Sequence, residues 1–256
     1  MPNENEIKAI FSLLQTEPSY KEKLIKSLVE FYKKDPEFVY AIASKYYDTI
    51  PPEILALFKR EQDTLKEEIR HFLNLKNPDL LECLILIARS LNPKNSREEI
   101  LALFNIARED FDKIIDSSFE VSQKAHILQN FFFETMNFKL TNLSKNSDLL
   151  NLPEIFKNQK TTPFVMAVLY LVFIYPYEVK GDIIEADNKI IVRLKDSFSF
   201  EPVYIDIINE GSFVSESECD MYAAGNFLKW DSKVLTSKTN RDICKHLFAN
   251  LTYIGK

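Results

Sequence analysis

Residues 162–177 read TPFVMAVLYLVFIYPY, and they contain the longest apolar run of the 256-residue chain, from Phe164 to Tyr175. Thr162 before Pro163 is typical of a helix start, because a threonine hydroxyl caps free amides and proline tolerates the first helical position. Pro176 ends the run. The run is shorter than the roughly 20 residues that span a bilayer. It therefore predicts a helix buried in the centre of a globular domain.

The pattern changes from helix to strand after Pro176. Segments 177–184, 189–194 and 203–208 are rich in β-branched and aromatic residues, and residues 185–188, EADN, have the composition and length of a hairpin connection. These signals predict a small antiparallel sheet. Two further helices are predicted after it, the first opened by a capping box of Ser215 and Glu218, the second capped near Thr239.

The chain before residue 77 shows one helical stripe after another, with prolines between them. Pairs of short helices resemble HEAT-type repeats, although two units without a recurring signature do not establish a solenoid. The apolar stripes are Ile7, Ile10, Phe11 and Leu14; Leu24, Leu28, Phe31 and Tyr32; Phe38, Ile42 and Tyr46 between Pro36 and Pro51–Pro52; and Leu65, Ile69, Phe72 and Leu73.

Asn77–Pro78 marks the predicted boundary between a helical region, residues 1–76, and a second domain, residues 77–256. The second domain opens with three predicted helices. The apolar run 80–91 indicates the first, and a capping box of Ser96 and Glu99 opens the second. An apolar stripe over 121–132 indicates the third, which is expected to end near residue 137. A polar loop follows at 141–148. The predicted fold class is α+β, with helices first and the sheet last.

Composition and charge exclude several classes of function. The four glycines leave almost no material for phosphate-binding loops, and a formal net charge of −6 opposes a nucleic-acid partner. The three cysteines are odd in number and widely spaced, which argues against a disulfide framework and favours a reducing compartment. The start, MPNENEIK, lacks the order of a secretory signal. We therefore expect a cytoplasmic protein without membrane or nucleic-acid binding.

Sequence motifs for common chemistries are absent. There is no dinucleotide loop, P-loop, HExxH, CxxC or GxSxG motif. Cys244 and His246 would point about 200° apart on one helix, so they cannot share a metal ion. His71 and Cys83 could meet across a helix pair, but an ordinary histidine and a buried thiol explain them equally well. We expect no metal and no cofactor.

Cys219 is the best local candidate for a nucleophile, because a helix start can stabilise a thiolate. Glu216, Glu218 and Asp220 surround it, however, and negative charge raises a thiol pKa. We therefore favour an inert thiol. His126 lies on an amphipathic helix, QKAHILQNFFFE, and is interpreted as a histidine at the helix surface or the edge of the core.

The order of these signals resembles the transglutaminase-like superfamily, in the bacterial branch with a helical region before its core. The resemblance covers about Leu80 to Gly255. It implies a cysteine-protease-like core in which a thiolate at the start of the central helix attacks, a histidine on the following strands acts as base, and an aspartate orients that histidine. The segments that carry it are PDLLECLILIAR, AHILQNFFFETMNF, TTPFVMAVLYL, VYIDIINEGSFVSESEC and NRDICKHLFANLTYIGK.

This chain departs from the triad that the resemblance implies. Near the nucleophile position it has Val165, Met166 and Ala167, and the histidine position falls near Asn188 or Lys189. The glycine before Pro163 is replaced by a threonine as well. Only Asp206 keeps the expected residue type. We therefore expect a catalytically inactive binding or scaffold protein whose partner is a protein, with the N-terminal helical region as the binding surface.

Two other interpretations stay open. A residual hydrolase or acyltransferase could use Asp206 with Lys189 and Tyr204, which requires a desolvated lysine of lowered pKa. Alternatively, Asp206 is exposed or bonded to loop amides before the turn at Asn209–Gly211, and its ion pair with Lys189 contributes about 0–1 kcal/mol. A purely structural subunit of an operon partner is not distinguished from a binding protein by sequence.

Overall fold

The protein is described by a computed structural model, in which the chain divides into two compact units. The first consists of Met1–Asn74 and Arg89–Arg97, the second of Leu75–Ala88 and Glu98–Lys256. The predicted boundary at residue 77 stays a prediction. The structure describes residues 4–34, 38–39, 42, 64–92, 95–142, 146–186, 189–197, 201–225 and 238–254.

The first unit contains α1 (Glu4–Thr16), a 3-10 turn (Pro18–Tyr20), α2 (Lys21–Lys34) and helical residues 64–73, here α3. The stripes predicted for α1 and α2 are confirmed, because they supply its core. Tyr46 and the prolines at 36, 51 and 52 lie outside the described residues, and the HEAT-type pairing stays a prediction. The buried core residues are Ile7, Ile10, Phe11, Leu28, Tyr32, Val39 and Ile42.

The helices that follow agree with the apolar stripes of the sequence. A π-helix, Asn130–Thr135, continues the helix Val121–Gln129 and carries the three consecutive phenylalanines, of which Phe131 and Phe132 are buried. The polar stretch predicted as a loop at 141–148 runs into a 3-10 turn, Ser147–Leu149. The helices are α4 (Leu80–Leu91), α5 (Arg97–Asp112), α6 (Val121–Gln129), α7 (Leu152–Asn158), α8 (Pro163–Ile174), α9 (Glu216–Gly225) and α10 (Asn240–Ile254).

Helix α8 is the predicted central helix, and every residue in it except Pro163 and Val172 is buried. At its start, the Thr162 hydroxyl accepts a hydrogen bond from the Val165 amide at 3.3 Å, as expected of an N-cap. At its end, the Arg108 guanidinium donates to the Phe173 carbonyl at 3.0 Å. The Arg108 side chain thus satisfies a carbonyl of the last turn of α8, where the helix backbone supplies no donor and a positive charge is favoured.

The sheet is antiparallel, as predicted, with four strands in the order β3-β4-β5-β6. Tyr177 belongs to a 3-10 turn rather than to a strand, and residues 207–208 lie in a turn after β5. Strand β6 was not predicted, nor was a separate parallel pair of two-residue strands, β1 and β2. The bounds are β1 Lys139–Leu140, β2 Lys160–Thr161, β3 Lys180–Ala186, β4 Lys189–Lys195, β5 Val203–Asp206 and β6 Ser212–Val214.

The two faces of this sheet pack against different helices. One face, here the α8 face, approaches α8 so closely that a Cβ at Gly181 would lie 2.5 Å from Leu171 Cδ2. The other, the α9 face, is covered by Cys219 and Tyr222 of α9, which pack with Ile184, Ile191 and Tyr204. Because side chains alternate along a strand, each strand residue is assigned to one of these faces by its register.

Both predicted caps in the C-terminal part are confirmed. Before α9, Glu218 Oε2 accepts from the Ser215 amide at 2.7 Å, and the Ser215 hydroxyl accepts from the Glu218 amide at 3.3 Å. Before α10, Thr239 and Asp242 make the same reciprocal pair. Within the ranges described, no helix combines the length and apolarity needed to cross a membrane.

Candidate functional site

Asp206 and Lys189 form a tight ion pair at one end of the sheet. Lys189 Nζ lies 2.6 Å from Asp206 Oδ2, and the side chain of Asp206 is 0% exposed against 30% for that of Lys189. The other carboxylate oxygen, Oδ1, accepts from the Asn209 amide at 3.3 Å. Of the two states that the sequence left open for Asp206, exposure or a bond to loop amides, the structure shows the second. The carboxylate is buried, because the residues around it, α9 among them, cover it.

The Lys189 ammonium has the properties of a fixed counter-ion. The hydrogen bond to Asp206 raises the pKa of Lys189, although partial burial acts in the opposite direction. The ammonium also lies 4.9 Å from the centroid of the Tyr222 ring, at a cation–π distance. A lysine that serves as base or nucleophile needs a lowered pKa instead. This amine stays protonated at neutral pH.

Tyr204, the third residue considered for a residual site, is buried on the same face of the sheet. It pairs with Val214 across β5 and β6, and with Arg193 across β4 and β5. It packs in the apolar cluster under α9. Tyr204 therefore contributes to the core that covers Asp206.

Ala167 is not brought together with this ion pair. It is fully buried in α8, as are its neighbours Val165 and Met166. Asp206 pairs with Ile191, and Lys189 is two residues from Ile191, so both side chains lie on the α9 face. Helix α8 packs on the opposite face. Asn188, the other residue matched to the histidine, lies outside the described residues.

The described part of the chain includes all three cysteines and all three histidines, and no hydrogen bond there joins a thiol to an imidazole. Burial, together with the negative charges of Asp220, Glu218, Glu216 and Asp206, raises the pKa of Cys219 to about 12. A raised pKa disfavours the thiolate, in agreement with the prediction from sequence that Cys219 is an inert thiol. His126 is exposed on α6, with its ring 6.1 Å from that of Phe213.

His246 is a residue whose position sequence reasoning missed. Its imidazole stacks on Phe164 in the first turn of α8, with ring centroids 4.0 Å apart and an interplanar angle of 12°. Burial lowers the pKa of His246, although Glu185, 3.8 Å from Nδ1, acts in the opposite direction. No local signal marks this contact, because it joins residues far apart in the chain.

A family model of the transglutaminase-like superfamily matches residues 94–249, more than half of the chain. The chain belongs to the transglutaminase-like superfamily. The match begins just before α5 and ends within α10, so α4 lies outside it, although the resemblance seen in the sequence had included α4. No curated protein and no solved structure matches the chain.

A metal ion needs a set of clustered ligands, and the triad that the sequence resemblance suggested needs a nucleophile, a base and an orienting group. No group of three or more His, Cys, Asp and Glu side chains among the residues placed by the structure could hold a metal ion. The residues that the sequence resemblance suggested for a triad are Ala167, which is buried, and the ion pair of Lys189 with the buried Asp206. The ion pair can hold charge and fix the turn after β5.

Proposed function

We propose that this transglutaminase-like protein is catalytically inactive and acts by binding another protein. The observation that carries the proposal is the position of the Lys189–Asp206 pair on the α9 face, with Ala167 in a helix packed on the other face. Acyl transfer by a thiolate needs nucleophile, base and orienting group within hydrogen-bonding reach. The three matched positions of this chain do not supply that arrangement.

The charge state of the pair supports the same proposal. A residual hydrolase or acyltransferase around Asp206 would need a neutral Lys189 amine or an accessible carboxylate. The carboxylate raises the pKa of Lys189, and its own side chain has no exposed surface. The pair is better suited to holding β4, β5 and the following turn together than to turning over a substrate.

Turnover measurements test the catalytic half of the proposal. The full-length protein is assayed for γ-glutamyl transfer to an amine and for hydrolysis of a peptide library, beside an Asp206→Ala variant and a buffer blank. We expect rates equal to the blank for both proteins. Turnover by the unaltered chain that disappears in Asp206→Ala would overturn the proposal and favour the residual enzyme.

We propose the N-terminal helical region, residues 1–76, as the surface that binds the partner. Leu13 and Tyr20 support this choice, because they are 42% and 59% exposed at α1 and the turn after it. Apolar side chains that are costly to expose mark binding surfaces when they cluster. The proposal includes a cytoplasmic location, supported by three free thiols, and excludes a nucleic-acid partner because the chain is acidic.

The binding half is tested by quantitative co-purification from the source cell. The full chain is compared with a Leu13→Ser/Tyr20→Ser variant and with Ile106→Ser, which changes an exposed apolar residue of α5. We expect one protein at near-equal stoichiometry with the unaltered chain and with Ile106→Ser, and its loss in the double variant. Binding that survives the double variant would remove the N-terminal region as the surface.

A further inference from the structure

A groove with a volume of about 250 Å³ lies beside strand β2, within the second unit. The 3-10 turn Ser147–Leu149 and its cap line it from one direction, and the end of α7 with the start of β2 lines it from the other. Neither Lys189 nor Asp206 lines it, so the groove is separate from the ion pair described above. Of the described residues that line it, Leu149 is apolar and the others are polar: Asn146, Asp148, Asn158 and Lys160.

Hydrogen bonds hold the two sides of this groove together. The hydroxyl of Thr161, which follows Lys160 in β2, is buried and donates to the Leu149 carbonyl at 3.0 Å. In the turn, the side-chain carbonyl of Asn146 accepts from the Asp148 amide at 3.0 Å. The backbone on both sides is therefore fixed before a ligand binds, which lowers the cost of ordering the site.

Two side chains of opposite charge line the groove without pairing with each other. Within the ranges that the structure describes, neither the Asp148 carboxylate nor the Lys160 ammonium has an ion-pair partner. Both residues are exposed. Each charged group is thus available for a charge-assisted hydrogen bond to a ligand.

A second cation adjoins the lysine side of the groove. Lys139 of β1 is the register partner of Lys160 of β2, and both residues are exposed. Paired residues of neighbouring strands project from the same side of a sheet, and like charges placed in this way repel each other. An anionic group bound at Lys160 would relieve this repulsion, so the lysine side favours a carboxylate.

We propose that this groove binds a free α-amino acid, with its carboxylate at Lys160 and its ammonium at Asp148. A ligand with only negative charge would meet the Asp148 carboxylate, and one with only positive charge would meet two lysines. A zwitterion instead places each charge opposite its complement. The volume is below the roughly 300–1,000 Å³ of pockets for drug-sized molecules, which favours a ligand of this small size.

Amide NMR spectra of the isotope-labelled full chain test the proposal, which does not depend on the proposed binding of a protein partner. An equimolar mixture of the twenty protein amino acids is the first probe, followed by the strongest single binder. We expect saturable shift changes at residues 146–149 and 158–161. The carboxamide of that amino acid lacks the carboxylate and its N-acetyl derivative lacks the ammonium, so each should bind roughly tenfold more weakly or less.

Variants of exposed side chains provide matched controls. Asp148→Asn and Lys160→Gln should each weaken binding of the amino acid by roughly tenfold or more. Lys157→Gln changes a lysine of α7 that is 72% exposed and does not line the groove, so it should alter the affinity by less than about twofold.

Four results would each overturn the proposal. They are the absence of shift changes at millimolar concentrations of the amino acids, shift changes confined to other parts of the chain, a derivative that binds as tightly as its parent amino acid, and undiminished binding by Asp148→Asn or Lys160→Gln. Equal binding of the N-acetyl derivative would identify a site for anions alone, and equal binding of the carboxamide a site for cations alone.

Discussion

Lys189 Nζ lies 2.6 Å from Asp206 Oδ2, beneath α9 and on the sheet face opposite the central helix. The buried carboxylate and the half-buried ammonium neutralise each other, and the carboxylate holds the turn after β5 through the Asn209 amide. Under the proposed function, this pair is structural, because its lysine cannot exchange protons near neutral pH as an imidazole could.

Replacing Lys189 tests how strongly the fold depends on that pairing. Lys189→Met keeps most of the packing but leaves the Asp206 carboxylate buried without its counter-ion, so we expect a loss of about 1–3 kcal/mol in the free energy of unfolding. Lys195→Met, at the exposed end of the same strand, should change it by less than about 0.5 kcal/mol. Equal effects of the two substitutions in urea titrations would contradict a structural role for the pair.

The hydroxyl of Tyr170 offers a second stability test. It is buried in α8 and, among the described residues, has no hydrogen-bond partner, whereas Tyr177 donates to Asp112 Oδ1 at 2.5 Å. Tyr170→Phe should leave the free energy of unfolding unchanged or raise it by up to about 1 kcal/mol, because it removes a desolvated polar atom. Tyr177→Phe should lower it by about 0.5–1.5 kcal/mol. A larger loss of stability in Tyr170→Phe than in Tyr177→Phe would contradict this expectation, because it would mean that the Tyr170 hydroxyl has a hydrogen-bond partner.

Close packing between the sheet and α8 makes Gly181 difficult to replace. An added Cβ would lie 2.5 Å from Leu171 Cδ2 and 2.8 Å from Leu194 Cδ2, and both leucines are buried. Gly181→Ala should therefore cost about 1–3 kcal/mol. In a double-mutant cycle with Leu171→Ala, the combined cost should be smaller than the sum of the single costs, as expected when one change makes room for the other. Additive costs would indicate that the two groups are not in contact.

His246 predicts a loss of stability in acid. Burial lowers its pKa from the usual 6.5, so the unfolded chain binds this proton more readily than the folded one. The stability that neutral His246 contributes is present above the unfolded pKa and is lost as the pH falls through the folded pKa. Urea titrations from about pH 8 to about pH 5 should show a smaller loss for His246→Phe than for the unaltered chain.

A second variant separates titration from ring stacking at this position. His246→Asn removes the stack on Phe164 together with the titrating group, so it should be less stable at every pH but should show the same reduced dependence on pH. A pH dependence identical to that of the unaltered chain in both variants would exclude His246 as its source.

Strong local signals explain why much of the fold could be predicted. Thr162, Pro163 and the apolar run to Ile174 combine a cap, a helix start and full burial, and the structure has a helix with those bounds. Strand β6 has three residues, Ser212–Val214, of which Phe213 is 42% exposed. Such a strand is too short to show a period, so its pairing with β5 follows only from the folded sheet.

The candidate site was predictable only in part. The spacing of strands β4 and β5 placed Lys189 near Asp206, and their side chains do meet. The burial of Asp206 depends on how α9 packs over the sheet, and the contact of His246 with Phe164 depends on how α10 docks. These contacts join distant parts of the chain, which sequence periodicity does not encode.

Ala167 lies in α8, which packs on one face of the sheet, whereas Lys189 and Asp206 lie on the other face, so we propose that these positions cannot assemble an acyl-transfer site. The turnover rate for γ-glutamyl transfer of a folded Ala167→Cys/Lys189→His variant, beside the unaltered chain, tests this proposal. We expect no turnover above the blank for either protein. Turnover by the double variant, accompanied by a thioester at position 167, would contradict it, because the thiol and the imidazole would then have to share one face.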